Sequence, residues 1–341
     1  MKILVSNNTK QFFGDQIKQI DSSIELIAID PNNCESPAWR DADKCDVFYL
    51  TYEFMFAVDL NPELTEPLID LCKQMDFIQT GYAGTDSPLI QTILKTEAQV
   101  ANASGIHAIP IANYVLAQML RWTKRIDKHI ELQKNTNWEA WGGDGELTYK
   151  SILILGYGGI GQEIGRLAKS FGMQVIATKR SKHECPFADS IHHPDNTLQL
   201  LPDADFVVAC LPSDTETTNI INKEALSLMK ETAMLINVGR GNAINEEDLI
   251  EALNSDQIAS AALDTTKIEP LPKDSGLWTA NNCYISPHDS AHSLHAIIRM
   301  NELFCENLQN IINNRPITVS YTHLRAHETR EDRVWRGRRE K

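Results

Sequence analysis

Three residues whose side chains suit acid–base chemistry and anion binding each follow an apolar run of the sequence. They are Arg240, Glu269 and His288, and the runs before them are Met234–Asn237, Ala259–Leu263 and Tyr284–Ile285. If these runs are parallel strands, their carboxyl ends meet at one edge, where open α/β sheets bind ligands. Taken singly, each residue also has an ordinary explanation: a solvated arginine, a glutamate in a Glu-Pro turn, a loop histidine. Together they predict a site with titratable and charged groups in one crevice.

The segment after residue 151 has the spacing of a phosphate-binding turn. The apolar run Ile152–Leu155 predicts a buried parallel strand, and it leads directly into Gly156, Gly158 and Gly161. Apolar residues then recur at helical spacing. The first glycine permits a tight turn, the second lets the backbone approach a pyrophosphate, and the third lets helix and strand pack closely. The start of the helix offers unpaired N–H groups to phosphates, so the sequence predicts a dinucleotide site.

The end of the next predicted strand bears on the choice of cofactor. A carboxylate is expected there, about 20 residues past the glycines, to bind the adenosine ribose hydroxyls. Here the strand ends with Thr178, Lys179, Arg180 and Ser181. A carboxylate would repel a 2′-phosphate, whereas the two cations would attract one, so NADP(H) is preferred over NAD(H). In the alternative, both cations are solvated and discrimination is weak.

Composition narrows the class of protein. The chain has 341 residues and a formal net charge of −14, which argues against a nucleic-acid partner. Seven cysteines without Cys-x-x-Cys spacing favour reduced thiols in a cytoplasmic protein. No cluster of histidine, cysteine and carboxylate residues has metal-ligand spacing, so we expect no metal. No apolar run reaches membrane-spanning length, and we expect neither a signal peptide nor membrane association.

Apolar runs that alternate with helical stretches predict an α/β fold with doubly wound parallel sheets. Before residue 100 the predicted strands are Ile3–Val5, Ile24–Ile29, Val47–Tyr52 and Phe77–Ile78. The later ones are Ile152–Leu155, Gln174–Ala177, Phe206–Cys210, Met234–Asn237, Ala259–Leu263 and Tyr284–Ile285. A helix is expected from Pro110 to about Arg125, followed by an irregular segment over 128–147. A long helix over Ser290–Asn313, carrying His292 and His295, closes the ordered part.

From about Gln79 to Pro316 the sequence resembles the D-isomer-specific 2-hydroxyacid dehydrogenase family. The resemblance rests on the glycine turn, on the ordered set Arg240, Glu269 and His288, and on three further segments. Those segments are Asn102–His107, Leu211–Thr217 and Met229–Gly241. It implies a Rossmann NAD(P)-binding domain over 103–287, inserted in a flavodoxin-like substrate domain made of 1–102 and 288–319. Residues 320–341 are arginine-rich and resemble translated adapter sequence, so we expect a non-native or disordered tail.

The resemblance also implies roles for individual residues. Arg240 would hold the carboxylate and carbonyl of a 2-oxo acid with its fork of donors. His288 would exchange the reacting proton, and Glu269 would orient it and favour its protonated form. The residues implied to hold the substrate carboxylate through backbone N–H groups are Tyr82, Ala83 and Gly84. The implied cofactor-binding residues are Gly156, Tyr157, Gly158, Gly159, Ile160, Gly161, Lys179, Arg180, Ser181, Leu211, Pro212, Thr217, Val238, Gly239, Arg240, Asp264 (facing the nicotinamide carboxamide) and His288.

The function implied is reduction of a 2-oxo acid of the glyoxylate or hydroxypyruvate type to the D-2-hydroxy acid by an NAD(P)-dependent oxidoreductase. A homodimer is expected, with the helix from Pro110 and the segment after it as the dimerisation arm. The residues expected to line the pocket for the substrate side chain are Tyr52, Phe54, Met55 and Phe56. The alternative from another class is a non-catalytic, nicotinamide-sensing binding protein, which would bind cofactor with negligible turnover.

Overall fold

The computed structural model describes residues 1–36, 38–39, 42, 45–84, 87–140, 145–180 and 186–318. The chain divides into two compact units. The first consists of Met1–Ile106 together with the residues from Leu294 onward, and the second is His107–Ser293. These boundaries lie a few residues beyond the predicted 102/103 and 287/288. As a result, His288 belongs to the second unit, whereas residues 288–319 were predicted to be part of the substrate domain.

Up to residue 106 the elements are β1 (Lys2–Ser6), α1 (Asn7–Lys18), β2 (Glu25–Ile29), β3 (Val47–Leu50), α2 (Tyr52–Leu60), α3 (Thr65–Cys72), β4 (Phe77–Thr80), α4 (Pro88–Ile93) and β5 (Gln99–Ala101). The second unit contains α5 (Ala108–Thr123), α6 (Ile126–Lys134), β6 (Ser151–Leu155), α7 (Gly159–Ser170), β7 (Gln174–Thr178), β8 (Ser190–His192), α8 (Thr197–Leu200), β9 (Phe206–Ala209), α9 (Lys223–Leu228), β10 (Met234–Asn237), α10 (Glu246–Asn254), β11 (Ser260–Leu263) and β12 (Cys283–Ile285). The final helix, α11, is Leu294–Ile312.

The first unit is built on a parallel sheet of five described strands in the order β2-β1-β3-β4-β5. This is the strand order of flavodoxin-like folds. Strand β3 shows why both faces are covered: Val47 and Tyr49 enter one apolar cluster, while Phe48 and Leu50 enter the other. Because side chains alternate across a strand, a continuous apolar run is buried on both sides only when helices cover both faces.

Helix α11 completes the core of the first unit. Phe304 is fully buried and stacks on Tyr49, with ring centroids 4.0 Å apart and an interplanar angle of 13°. Met300 and Leu308, one helical turn to either side, are also buried in this cluster. The apolar stripe at a spacing of three to four residues thus attaches the last helix to a sheet formed by the first hundred residues.

The second unit contains a parallel sheet of seven described strands in the order β12-β11-β10-β9-β6-β7-β8. Counted from β6, the first six strands have the doubly wound dinucleotide-binding order 3-2-1-4-5-6. All five residues of β6 are buried, with Leu153 and Leu155 in one cluster and Ile152 and Ile154 in the other. The predicted fold class, two doubly wound parallel-sheet domains, is confirmed.

Several elements differ from the predicted ones. Strands β5 and β8 were not expected; each has only three residues at a sheet edge, which is too short for a recognisable apolar pattern. Part of the segment 128–147 is helix α6, not irregular chain, and none of the residues of this helix is buried. Helix α11 starts at Leu294, which leaves His292 outside it and His295 within it.

No described helix is long and apolar enough to cross a membrane.

Candidate active site

The glycine turn after β6 has the geometry that its spacing predicted. Gly156 has a φ of +92°, a backbone conformation that residues with a side chain rarely adopt, and an added Cβ would lie 2.8 Å from the Cys210 carbonyl oxygen. At Gly161, a Cβ would collide with the backbone oxygen of Gly156. At Gly158, the N-cap of α7, no atom of the described residues other than its chain neighbours lies within 4 Å of the Cβ position. The turn is therefore tightly packed except beside Gly158, where the space is open.

This open space lies at the start of a twelve-residue helix. The N–H groups of the first helical turn have no partner within the helix and carry the positive end of its dipole. Among the residues of the turn, Tyr157 is a core residue: its ring is 1% exposed, its hydroxyl donates to the Pro186 carbonyl, and its backbone N–H donates to Thr178. The turn fits a pyrophosphate at Gly158, Gly159, Ile160 and Gly161, whereas the Tyr157 side chain points into the domain.

The loops after β9 and β10 lie at the same edge of the sheet. Thr217 ties the first loop together, because its hydroxyl donates to the Pro212 carbonyl and its N–H donates to Asp214. In the second loop, the fully buried Asn237 accepts from the Gly239 N–H and donates to the Arg240 carbonyl. Sequence reasoning gave Asn237 no role. An amide side chain at the end of a buried strand, two residues before a glycine, is the signal that could have identified it.

The two cations after β7 differ in environment. The Lys179 backbone N–H donates to His192 of β8, and this side chain is partly buried. The exposed Arg180 guanidinium lies 3.4 Å from a Glu216 carboxylate oxygen and 3.8 Å from one of Asp214. Sequence reasoning missed these two acidic neighbours, which come from the loop after β9. The third predicted residue of this group, Ser181, lies outside the described residues.

His288 and Glu269 form a direct pair. The Nδ1 atom of His288 lies 2.8 Å from Oε2 of Glu269, and the other carboxylate oxygen accepts from the Thr266 N–H at 3.1 Å. The two side chains are 45% and 39% exposed, so the pair is fixed by its own domain but still open to solvent. The Nδ1 bond orients the ring and leaves Nε2 as the nitrogen available for proton exchange.

The surroundings of the pair adjust both pKa values. The hydrogen bond to Glu269 raises the pKa of His288 above its ordinary 6.5, and the negative charges of Glu269 and Asp264 act in the same direction. Burial and the positive charge of Arg240 oppose this shift. For Glu269, burial favours the neutral acid, but the bonds from His288 and Thr266 outweigh it and lower the pKa of the carboxyl. The pair is therefore an imidazolium–carboxylate ion pair over a wider range of pH than a free histidine would allow.

The His288 backbone is held in an uncommon conformation. Its φ is +54°, in the left-handed region, and its N–H donates to the Asp264 carbonyl at 2.9 Å. The Asp264 carboxylate, 2% exposed, accepts bonds from the Ser286 hydroxyl, from the Asp289 and Ser290 N–H groups and from the Ser290 hydroxyl. This buried carboxylate thus fixes the whole loop that carries the histidine.

A tyrosine on α5 extends this network. The Tyr114 and Ser286 hydroxyl oxygens are 2.8 Å apart, and Ser286 lies 2.6 Å from Asp264. Because the single Ser286 hydrogen bonds to the carboxylate, which can only accept, Tyr114 must donate to Ser286. Sequence reasoning quoted Ser286 but gave no role to Tyr114 or Ser290. Tyr114 is 172 residues away from Ser286 in the chain, and no local pattern could connect the two.

The predicted carboxylate-binding loop, Tyr82–Gly84, lies in the first unit after β4. The Ala103 N–H donates to the Tyr82 carbonyl at 2.9 Å, and the Asn102 side chain donates to the Ala83 carbonyl at 3.0 Å. Burial raises the pKa of Tyr82 to about 12, so its phenol is neutral. The Tyr82 ring packs edge-on against Tyr52, with centroids 5.1 Å apart.

The expected apolar lining of the substrate pocket is wrong at two positions. Phe54 and Met55, on α2, are 1% and 5% exposed and belong to the core of the first unit. Both residues lie on a helix whose buried side packs into the core of this unit. Tyr52 is partly buried beside Tyr82, and Phe56 is 51% exposed. Only these two remain as lining candidates.

No group of three or more histidine, cysteine, aspartate or glutamate side chains that could hold a metal ion occurs among the described residues.

Comparison with known proteins agrees with this geometry. Residues 116–290 match the family model of the D-isomer specific 2-hydroxyacid dehydrogenase, NAD binding domain. The hydroxypyruvate reductase of Blautia hydrogenotrophica is 29% identical over 262 residues, 74% of this chain and 80% of that protein. The glyoxylate reductase/hydroxypyruvate reductase of Mus musculus is 32% identical over 256 residues, 73% and 78% of the two chains. A D-isomer specific 2-hydroxyacid dehydrogenase family protein from Aeromonas salmonicida superposes with a TM-score of 0.79 at 28% identity, covering 94% and 98% of the two chains.

A doubly wound sheet with a glycine turn after its first strand, and with an arginine and a His–Glu pair after later strands, defines a nicotinamide-dependent dehydrogenase. The chain belongs to the D-isomer specific 2-hydroxyacid dehydrogenase family, and it is an oxidoreductase that acts on CH–OH groups. The resemblance predicted from the sequence is confirmed.

The open space at Gly158 gives a first prediction. A Gly158→Ala variant should remain folded, because its Cβ meets no atom of the described residues beyond its chain neighbours within 4 Å, but the methyl group would fill the space expected to hold the pyrophosphate. We expect cofactor binding, measured by fluorescence titration of the reduced nicotinamide, to weaken about tenfold or more, which is about 1.4 kcal/mol. Gly14→Ala in α1, where the Cβ would make ordinary contacts, is the control. Unchanged binding by Gly158→Ala would place the pyrophosphate elsewhere.

The His288–Glu269 pair gives a second prediction. The hydrogen bond to Glu269 is the main cause of the raised pKa of His288, so Glu269→Gln should lower that pKa. In a pH titration followed by the NMR signals of the imidazole, His288 of the variant should lose its proton at lower pH than in the wild type. Glu251→Gln, an exposed carboxylate of α10 paired with Lys223, should leave the titration unchanged. Coincident curves for the wild type and Glu269→Gln would contradict the role given to the pair.

Proposed function

We propose that the protein reduces a 2-oxo acid of the glyoxylate or hydroxypyruvate type to the D-2-hydroxy acid, with NADPH as the hydride donor and His288 as the proton donor. The observation that carries this proposal is the 2.8 Å bond between His288 and Glu269, which raises the pKa of the imidazole and so favours its protonated form. The curated relatives named above, which are glyoxylate and hydroxypyruvate reductases, support the substrate class.

His288 supplies the proton in this mechanism. When the nicotinamide hydride reaches C2 of the oxo acid, negative charge develops on the carbonyl oxygen, and a proton from Nε2 neutralises it. Glu269, on the opposite side of the ring, stabilises the positive imidazolium before transfer. Because the pKa of His288 is raised, the protonated acid persists at higher pH than for a free histidine. The reverse reaction, oxidation of the hydroxy acid, needs the neutral ring and is favoured as the pH rises.

Arg240 and the loop Tyr82–Gly84 orient the substrate. The guanidinium group offers paired N–H donors with the geometry of a carboxylate or a carbonyl oxygen. Backbone N–H groups of the loop add neutral donors for the carboxylate. Interactions that are equally strong in the bound substrate and in the transition state lower KM without changing kcat, so the loop acts mainly on KM.

Residues after β7 support the preference for NADPH. No carboxylate stands at the end of this strand, where one would bind the ribose hydroxyls and repel a 2′-phosphate. Lys179 and Arg180 offer positive charge at that point. The carboxylates of Glu216 and Asp214 already lie within ion-pair distance of Arg180, so a 2′-phosphate must compete with them.

We also propose a homodimer, and α6 supports it. This nine-residue helix has no buried residue, yet Ile126 and Ile130, one turn apart, are 42% and 45% exposed. Residues four apart share a face of a helix, and an exposed apolar face of this kind is typical of an interface.

The test of the proposed function is the loss of absorbance at 340 nm with NADPH and with NADH, across glyoxylate, hydroxypyruvate, pyruvate and phenylpyruvate. Turnover with a preference for NADPH is the expected result. Tight cofactor binding without turnover of any of these acids would favour the non-catalytic, nicotinamide-sensing alternative.

Removal of the proton donor is the third prediction. His288→Ala should lower kcat for reduction about 10²- to 10⁴-fold, because general acid catalysis contributes about that much, while cofactor affinity stays the same. His295→Ala, on α11, is the matched control and should retain wild-type turnover. Glu269→Gln should move the alkaline limb of kcat/KM for reduction to lower pH, in parallel with the pKa of His288. Full turnover by His288→Ala would refute the mechanism.

Removal of the two cations is the fourth prediction. The double variant Lys179→Ala/Arg180→Ala should raise KM for NADPH about tenfold or more, since it removes charge-assisted bonds to the 2′-phosphate. KM for NADH should change much less. Glu216→Gln, which removes a competing carboxylate beside Arg180, should lower KM for NADPH and not for NADH. Equal effects on both cofactors would refute the preference.

The fifth prediction concerns assembly. The wild type should sediment at twice the chain mass of 38.3 kDa, and the double variant Ile126→Asp/Ile130→Asp should sediment at the mass of one chain. Phe12→Asp, at an exposed aromatic residue of α1, is the control and should leave the mass unchanged. A monomeric wild type would overturn the proposal.

A further inference from the structure

A chain of buried amide side chains in the first unit runs from the last helix to the loop Gly81–Gly84. The Asn307 amide, on α11, donates to the Gln79 side-chain oxygen at 2.7 Å. The Gln79 amide donates to the Asn102 carbonyl at 2.9 Å, and the Asn102 amide donates to the Ala83 carbonyl at 3.0 Å. Asn307, Gln79 and Asn102 are 0%, 0% and 5% exposed. Buried amides are costly unless bonded, so each link constrains the next.

The far end of this chain is also fixed. The Thr318 N–H donates to the Asn307 side-chain oxygen at 2.7 Å, and the Asn307 amide also lies 3.2 Å from the Thr318 carbonyl. Asn307 therefore joins the segment after α11 to the strand end at Gln79. A buried aliphatic residue would fill the same space but would fix none of these directions.

The loop itself is held from its carbonyl side. The Tyr82 carbonyl accepts from the Ala103 N–H at 2.9 Å and from the Thr80 hydroxyl at 3.2 Å, and the next carbonyl, that of Ala83, accepts from Asn102. Asn102 is itself held, because its side-chain oxygen accepts from the Ser104 N–H. Both carbonyls are hydrogen-bonded to the interior of the unit, and this fixes the direction of the peptide group to which each carbonyl belongs. The backbone N–H groups are part of those same rigid peptide planes.

We propose that Asn307, Gln79 and Asn102 are positioning residues for the substrate carboxylate, and that they act through the loop Gly81–Gly84. This inference rests on the proposed function, in which the N–H groups of that loop bind the carboxylate of the 2-oxo acid. It gives α11, which is more than 200 residues from the loop in sequence, a part in substrate affinity. A residue that positions a binding group affects KM, whereas a merely structural residue affects the amount of folded enzyme.

The experiment compares two buried asparagines of the same helix. Asn307→Ala breaks the chain of amides, while Asn301→Ala removes an amide that instead donates to Gln16 at 2.7 Å. We expect Asn307→Ala to raise KM for the 2-oxo acid about 5- to 10-fold with kcat nearly unchanged, since one ordinary hydrogen bond is worth about that much. The dissociation constant for NADPH should stay at the wild-type value. Asn301→Ala should leave KM unchanged.

A second variant distinguishes the proposed positioning role from a loss of folding. Gln79→Met keeps the volume and shape of the side chain but removes both of its links, so it should raise KM to a similar extent. The double variant Asn307→Ala/Gln79→Met should raise KM no further than either single variant, because both break one chain. Unchanged KM in both single variants, with an active wild type, would overturn this inference alone. A wild type that turns over no 2-oxo acid would overturn the proposed function, and this inference with it.

Discussion

In a fully parallel sheet, every strand ends at the same edge, and the chemistry of the second unit depends on this constraint. Loops after β6, β9, β10, β11 and β12 all leave that edge, although they lie far apart in the sequence. The register of β10, β11 and β12 sets the loops of Arg240, Glu269 and His288 side by side. No single loop contains the site, and a change in strand order would separate its parts.

A buried carboxylate converts this general proximity into a specific geometry. Asp264 directly follows β11, and its carboxylate accepts bonds from Ser286, Asp289 and Ser290 of the loop after β12, including one from the hydroxyl of Ser290. Its carbonyl also holds the N–H of His288, whose φ of +54° would otherwise be unfavourable. An unpaired buried carboxylate would cost several kcal/mol, so the donors around Asp264 stabilise the fold and position the histidine at once.

The acid–base pair and the cation cluster illustrate different uses of charge. His288 and Glu269 are partly shielded and directly bonded, so their contact raises the pKa of the histidine and lowers that of the glutamate. Arg180 and its acidic neighbours are largely exposed, at distances of 3.4 and 3.8 Å, where salt screens the attraction and each pair contributes little. The first arrangement favours one protonation state of the histidine, the imidazolium. The second leaves the arginine able to exchange partners.

Local patterns in the sequence determined much of this protein. The apolar run before Gly156, the glycine spacing and the apolar runs of β1, β3 and β10 follow from short-range backbone and packing rules, and they predicted the sheets and the turn. Tertiary structure alone decided the rest. Phe54 and Met55, which were expected to line a pocket, are core residues because α2 packs them against the sheet, and the three-residue strands β5 and β8 form by pairing at sheet edges. Tyr114 meets Ser286 across 172 residues, and Asn307 meets Gln79 across 228. Hydrogen bonds between residues so far apart leave no periodic trace in the sequence, because only the folded chain brings donor and acceptor together.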